Sequence, residues 1–134
     1  MRPFTDPMGL PLSTTSAQAA AHYATGTRLL VAQASEARPA LEAAIAADST
    51  FSLAIAALAV CVFVGGDRDG ALAILNRMPA SAPATRRERQ HLEIVSEVLC
   101  GNGERARALG QDHLSEFPDD ELVARVLHAS DASG

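Results

Sequence analysis

A helix–turn–helix unit that recurs every 34 or 35 residues is the feature that most constrains the fold of this 134-residue chain. Gly-Asp and Gly-Asn turn dipeptides begin at Gly66 and Gly101, and an alanine follows each glycine five residues later, at Ala71 and Ala106. A step of 34 residues back from Ala71 reaches Ala37. Because one such unit cannot bury its own apolar face, we expect about three of them to stack into one array.

The composition favours α-helix along nearly the whole chain. Alanine, which has the highest helix propensity, occupies 27 positions, and β-branched residues are few outside one segment. Cap and turn residues divide the chain into seven predicted helices that short turns connect. Caps included, these helices cover about residues 15–34, 37–47, 51–64, 67–78, 85–100, 104–117 and 120–129.

Capping patterns mark the beginning of three of these helices. Residues 15–18 (TSAQ) and 85–88 (TRRE) both have the capping-box pattern, with Thr15 and Thr85 as the predicted N-caps. Asp67 is predicted to cap the fourth helix. The glycine pair at residues 65 and 66 is predicted to end the third helix, because glycine readily adopts the left-handed conformation.

The spacing of the unit is typical of the tetratricopeptide repeat, in which small residues at positions 8 and 20 let paired helices approach closely. In that numbering the repeats cover residues 18–51, 52–85 and 87–120, with alanine at position 20 in all three, and position 8 is Thr25, Ala59 and Ile94. We predict an all-α fold of tetratricopeptide-like antiparallel helical hairpins, about seven helices stacked as a short right-handed solenoid. The alternative is a generic helical bundle with an accidental spacing.

Three parts follow from this assignment. Residues 1–15, which contain three prolines, are predicted to form an extended N-terminal arm. Residues 16–129 are predicted to form the helical domain of about three repeats plus one helix. Residues 130–134 are predicted to be a polar tail.

Five short motifs resemble the tetratricopeptide-repeat protein thirty-eight family. They are GLPLSTTS at residues 9–16, ADSTF at 47–51, TRRERQH at 85–91, GN at 101–102 and FPDDEL at 117–122. Members of that family continue with further repeats, whereas the resemblance here ends near His128, so we expect a shortened relative. The resemblance implies an α-solenoid without an established chemistry.

Charge and cysteine usage exclude several classes of protein. The net charge of -5 argues against nucleic-acid binding, which needs a basic face. Cys61 and Cys100 have neither a disulfide nor a metal spacing and are predicted to be packing residues in a reduced compartment. The longest apolar run, residues 51–64, is shorter than the roughly 20 residues that span a bilayer. A secretory signal is not expected, and we predict a soluble, cytoplasmic protein without membrane contact.

No catalytic, cofactor-binding or metal site is predicted, because no general acid, base and nucleophile are assembled by the motifs. His22 and His91 share position 5 of their repeats and form either a pair that binds a carboxylate or a metal, or two unrelated histidines. Arg86, Arg87 and Arg89 are a candidate basic contact for a partner's carboxylate or phosphate, or else a solvated face.

The first helices of the repeats place an apolar wall on the predicted concave side. Its candidate partner-binding residues are His22, Leu29, Leu30, Val60, Phe63, Val64, His91, Val95, Val98 and Leu99. Apolar area costs roughly 25 cal/mol per Å² when exposed, so this wall needs a cover. The candidates are the arm (Phe4, Met8, Leu10 and Leu12), a second copy, or a hydrophobic ligand or partner helix. Alternatively, these residues fill one compact core.

We therefore predict a non-enzymatic scaffold or adaptor of tetratricopeptide-repeat type that binds a protein partner. A homo-oligomer is expected, with Leu122, Val123, Val126 and Leu127 of the seventh helix as one contact, because uncapped solenoid ends stack. The alternative is a small helical ligand-binding or catalytic protein that takes an apolar small molecule into a concave pocket. A truncated relic without a function of its own is a third interpretation.

Overall fold

A computed structural model of the chain describes residues 4–7, 9–32, 36–79 and 84–133. These residues form seven helices: α1 (Ala17–Val31), α2 (Ala37–Ala47), α3 (Ser52–Val64), α4 (Arg68–Leu75), α5 (Arg86–Leu99), α6 (Gly103–Glu116) and α7 (Glu121–Ser133). The β-structure within the described ranges is one isolated bridge, between Thr5 and Pro11. The predicted all-α fold of about seven helices is confirmed.

Helices α1, α4 and α5 begin at capping side chains. At α5, Thr85 Oγ1 accepts the Glu88 amide at 3.1 Å, and Glu88 Oε1 accepts the Thr85 amide at 2.7 Å, as the capping box predicts. At α4, Asp67 Oδ1 accepts the Gly70 amide at 2.8 Å. The predicted cap of α1 is wrong by one residue, because Ser16, not Thr15, accepts the Ala19 amide.

Helices α3 and α5, the first helices of the second and third repeats, end in the same glycine turn. Gly66 and Gly101 have φ angles of 98° and 86°, which a side chain would strain. Each turn returns an amide to the third-last carbonyl of its helix, from Asp67 to Val62 and from Asn102 to Glu97. This is the Schellman pattern, so the turn between paired helices is set by local sequence in both repeats.

The recurring alanines lie where the paired helices meet. Ala37, Ala71 and Ala106 are all fully buried in the hairpins α1–α2, α3–α4 and α5–α6. Position 8 of the first repeat is assigned wrongly, because Thr25 is exposed and the next residue, Gly26, faces α2 instead.

Helix α7 closes the array. It packs against α6 and α5, as the next helix of a solenoid would, and also against α1 and α3. Its Leu122, Val123 and Val126 are fully buried in the same core as α3, which is buried along almost its whole length. The inner side of the array is therefore filled by α7, and the described residues form one core.

Several predicted boundaries differ from the structure. Helix α4 ends at Leu75, before the predicted 78, and α7 continues through the predicted polar tail to Ser133. Met8 and the predicted end of the first helix at Ala34 lie outside the described residues. Among the helices that the structure describes, none has the length and apolar character needed to cross a membrane. The division into three parts stays a prediction.

Candidate functional site

The described residues of the N-terminal segment form a closed loop, which we call the arm loop (residues 4–7 and 9–12), rather than the extended arm that the prolines predict. The Asp6 amide donates to the Leu10 carbonyl at 2.9 Å, and the Leu12 amide donates to the Phe4 carbonyl at 2.7 Å. Asp6 Oδ1 accepts the Leu10 amide at 2.9 Å, and Gly9 has a φ of 84°. The chain reverses direction here because the Asp6 carboxylate accepts a main-chain amide and Gly9 adopts the positive φ angle that the turn needs.

Adjacent residues at the start of α5 hold this segment. Arg87 Nη2 donates to Asp6 Oδ2 at 3.3 Å and to the Pro11 carbonyl at 3.2 Å. Glu88 Oε2 accepts both the amide and the hydroxyl of Ser13, each at 3.1 Å. We call Arg87 and Glu88 the arm socket; both are buried, which strengthens these charge-assisted bonds.

Asp120, just before α7, lies behind the socket. Its Oδ2 contacts His113 Nε2 at 2.8 Å, His91 Nδ1 at 3.1 Å and Arg87 Nη1 at 3.7 Å. Burial alone would raise the pKa of the Asp120 carboxyl, but the charge of His91, hydrogen bonds from His113 and His91, and Arg87 hold this pKa well below its usual range. His113 Nδ1 also contacts Gln90 Oε1 at 2.8 Å. One carboxyl thus ties α5, α6 and α7 together.

Tyr23 of α1 completes the buried surroundings of this cluster. Burial raises the pKa of its phenol, against the smaller opposite effect of Arg87. Its ring lies 5.0 Å from that of Phe51, centroid to centroid. Tyr23 therefore stays neutral and packs in the core.

The cluster contains acid and base side chains but does not reach a substrate. His91, His113 and Asp120 are at most 1% exposed. A general acid or base must lie within hydrogen-bond reach of the reacting group. In this conformation the arrangement therefore joins the arm loop and α7 to α5. Within the described residues, no three His, Cys, Asp or Glu side chains are grouped to hold a metal ion.

The predicted concave wall is mostly core, which corrects the expectation of an open surface. The buried members are Leu30, Val60, Phe63, His91, Val95, Val98 and Leu99. Leu29 is partly buried, and His22 and Val64 are exposed. The reason is the return of α7 to α1 and α3, which covers the inner side. A binding role stays a prediction for the three accessible residues, and the seven buried residues leave little apolar lining for the pocket of the alternative function in this part of the structure.

The structure separates the paired and clustered residues that the sequence singled out. His22 is exposed and His91 fully buried, so the two do not converge on one ligand. Arg87 is 4% exposed and belongs to the arm socket, so it is not a surface contact. Arg86 pairs with Glu116 through bonds of 2.9 and 3.1 Å, at the surface.

The third arginine of that cluster is also engaged. Exposed Arg89 donates to the Ala84 carbonyl at 2.8 Å. The cysteines are both free, but only Cys61 is partly packed; Cys100 is exposed at the end of α5, which corrects its predicted packing role. Burial raises the pKa of the Cys61 thiol, which disfavours the reactive thiolate.

A surface groove of about 310 Å³ runs between α5 and α6. It is lined by Arg86, Gln90, Glu93, Ile94, Leu109, Asp112, His113 and Glu116. We call it the α5–α6 groove. It combines charged groups of both signs with an apolar floor, which suits recognition of a polar protein segment.

Sequence reasoning missed the buried cluster. Arg87 and His91 are four residues apart on α5 and thus share one face of the helix, and this face is buried in the core. That spacing indicates that Arg87 and His91 belong to one cluster, but no local sequence pattern indicates that Asp6 and Asp120 join it. The motifs at residues 9–16, 47–51, 85–91 and 117–122 meet here, since Thr14 also donates to Asp48 at 2.6 Å.

Comparison with known proteins agrees with this architecture. Residues 30–92 match the family model of the tetratricopeptide repeat, from the end of α1 into α5. No match was found among curated proteins or among solved structures. Residues 30–92 are therefore similar to a tetratricopeptide repeat, and the described helices of the chain pack as paired hairpins.

Proposed function

We propose that the chain is a non-enzymatic scaffold that binds a protein partner through its outer helical surfaces. The observation that carries this proposal is the tetratricopeptide-repeat domain itself, since such domains generally mediate protein–protein interactions. The burial of the acid and base side chains supports a binding rather than a catalytic role.

The α5–α6 groove is the surface that we assign to the partner. Arg86, one of the basic residues singled out from the sequence, lines it together with Glu93, Asp112 and Glu116. Leu109 gives it an apolar contact. A partner segment with its own charges of both signs would replace the exposed Arg86–Glu116 pair, whose bonds are weakened by water.

Reversing one charge tests this assignment. An affinity-tagged full chain carries a photo-crosslinking group at Asp112, and the partner captured from the host is identified by mass spectrometry. We expect Arg86→Glu to reduce capture at least about tenfold, while Arg38→Glu, which changes an exposed arginine of α2, leaves capture unchanged. Equal capture by both variants would contradict the groove, and crosslinking of no protein would contradict the scaffold.

Two finer predictions, on family and location, belong to this proposal. Kinship with the tetratricopeptide-repeat protein thirty-eight family stays a prediction that rests on the motifs at residues 9–16, 47–51, 85–91, 101–102 and 117–122. Two free cysteines are consistent with a cytoplasmic location.

Self-association stays a prediction but needs a different surface. Leu122, Val123 and Val126 are buried within one chain, so α7 does not present them to a second copy. Among the described residues, the large apolar side chains classed as exposed are Phe4 at 37% and Val64 at 43%. Light scattering of the wild-type chain and of Val64→Asp tests whether a dimer forms through Val64.

A further inference from the structure

The arm loop keeps its own shape. Its main-chain bonds from Asp6 to Leu10 and from Leu12 to Phe4, and the bond of the Asp6 carboxylate to the Leu10 amide, all lie inside residues 4–12. None of these bonds uses a helix. The turn of the loop is therefore held by bonds within the loop itself.

The arm socket is also built without the arm. Glu88 Oε1 is fixed by the Thr85 amide in the capping box of α5, which leaves Oε2 for a ligand. Arg87 is oriented by Asp120, which His91 and His113 hold in turn. Arg87 and Glu88 are thus held in position by residues of α5 and α6 and by the residue before α7.

Two adjacent socket residues bond the N-terminal segment. Arg87 bonds Asp6 and Pro11 of the arm loop, Glu88 bonds the next residue after the loop, Ser13, and Leu12 is buried in the core. Much of the remaining loop surface is exposed, including Phe4, Thr5, Pro7, Gly9 and Pro11. The loop thus presents an exposed outer side and bonds the socket through Asp6 and Pro11.

We propose that the arm socket is a second peptide-binding site, which the arm loop occupies in cis and which takes in trans a partner segment with the same chemistry: a carboxylate, a turn, and then a leucine followed by serine or threonine. The inference rests on the proposed scaffold function, because its ligand is a protein segment, but it uses a different surface from the α5–α6 groove.

Each part of this pattern has a reason in the contacts. Glu88 Oε2 accepts an amide and a hydroxyl from one residue, so it selects serine or threonine at that place. Arg87 binds a carboxylate and a main-chain carbonyl at once, which requires the turn between them. Phosphorylation of the hydroxyl would remove the donor and add negative charge beside Glu88, so the site selects an unmodified segment.

A peptide of residues 4–16 of the chain, carrying a fluorophore at its N-terminus, is the probe. Binding is measured by anisotropy to the full-length wild type and to a full-length Asp6→Asn/Ser13→Ala variant, in which the tethered loop is weakened. A tethered segment competes at an effective concentration in the mM range. We therefore expect the variant to bind the peptide at least about tenfold more tightly than the wild type does. The matched control is the same peptide with Ser13→Ala, which we expect to bind at least about tenfold more weakly.

Three results would overturn the proposal: a folded variant that does not bind, equal binding of both peptides, or a variant without helical circular dichroism. Hydrogen exchange of the wild type gives an independent test. We expect the Ser13 amide, which Glu88 accepts, to exchange at least about 100-fold faster than that of Val95 in α5. Equal rates would mean that the loop leaves only on global unfolding. None of these measurements depends on Arg86, so the scaffold proposal stands or falls separately.

Discussion

Asp120 is the residue through which distant parts of the chain depend on one another. One of its oxygens contacts His91 and His113, and Arg87 lies 3.7 Å away and also binds Asp6 of the arm loop. A buried cation or imidazole without its carboxylate would lose its compensating charge. The cost of removing Asp120 should therefore exceed that of removing any single hydrogen bond.

We expect Asp120→Ala to lower the free energy of unfolding by about 3–5 kcal/mol, because it leaves Arg87 and the two histidines buried without a shared acceptor. Urea unfolding followed by circular dichroism measures this. The control is Asp112→Ala at an exposed position of α6, which we expect to change the free energy of unfolding by about 0.5 kcal/mol or less. Similar effects of the two substitutions would show that the cluster contributes little.

Acid should weaken the fold through two carboxyls. The pKa of Asp120 is lowered by its histidine and arginine neighbours, and that of Asp48 is lowered mainly by the hydrogen bond from Thr14. A group whose pKa is lower in the folded than in the unfolded state stabilises the fold above the unfolded value, about 3.9 for aspartate, and loses this contribution as the pH falls below it.

We therefore expect the urea midpoint to fall between pH 5 and pH 3. Thr14→Val removes the hydroxyl that bonds Asp48, so the fall should be smaller in this variant than in the wild type. Midpoints at both pH values for both proteins provide the measurement. An equal fall in the two proteins would assign the acid sensitivity to other groups.

At the scale of the helix pair, a single glycine sets how closely α1 and α2 approach. A Cβ at Gly26 would lie 2.6 Å from Leu41 Cδ2 and 3.3 Å from the Leu41 amide nitrogen. Gly110 plays the same part between α6 and Leu127 of α7. Small residues at these contacts let the neighbouring leucine pack directly on a helix backbone.

We expect Gly26→Ala to destabilise the protein by about 1–3 kcal/mol through overpacking, although alanine is the better helix former by about 1 kcal/mol. In a Leu41→Ala background the same substitution should be neutral or stabilising, because the clashing side chain is gone. Urea unfolding of the four proteins of this cycle measures the coupling. Additive effects would show that Leu41 is not the obstacle.

The elements that the sequence predicts well are those with local signals. The bounds of α2 agree with the prediction, and the capping box at Thr85 and the turn at Gly66 are present, because caps and left-handed glycines act within a few residues. The buried alanines also follow from the repeat period. The arm socket could not be predicted in this way, since Arg87 and Asp6 are 81 residues apart and no period connects them.

At the scale of the whole molecule, the array is closed rather than open. In an open solenoid each repeat contacts only its neighbours, so one end can unfold without the other. Here α7 touches α1 and α3, and its Val123 and Val126 lie in the common core. This contact is why the predicted concave wall is buried, and it should make unfolding a single transition.

We expect urea to unfold α1 and the remaining helices together. Tyr23 is the single tyrosine, and the chain has no tryptophan, so tyrosine fluorescence reports on α1 alone. Its transition should coincide with that of circular dichroism at 222 nm. Val126→Ala, more than 100 residues away, should shift both midpoints downward by the same amount. Two separate transitions, or a shift in circular dichroism alone, would indicate independent repeats.

The contacts among Asp6, Arg87 and Asp120 can form only late in translation, because they join the two ends of the described chain. The arm loop emerges from the ribosome before α5, α6 and α7, and the cluster behind its socket is incomplete until the residues around Asp120 have followed. Early hairpins can form as they appear, but the apolar face of α3 stays uncovered until translation has delivered α7. A chain truncated before α7 would leave part of this apolar face in water, so we expect it to aggregate more readily than the full chain.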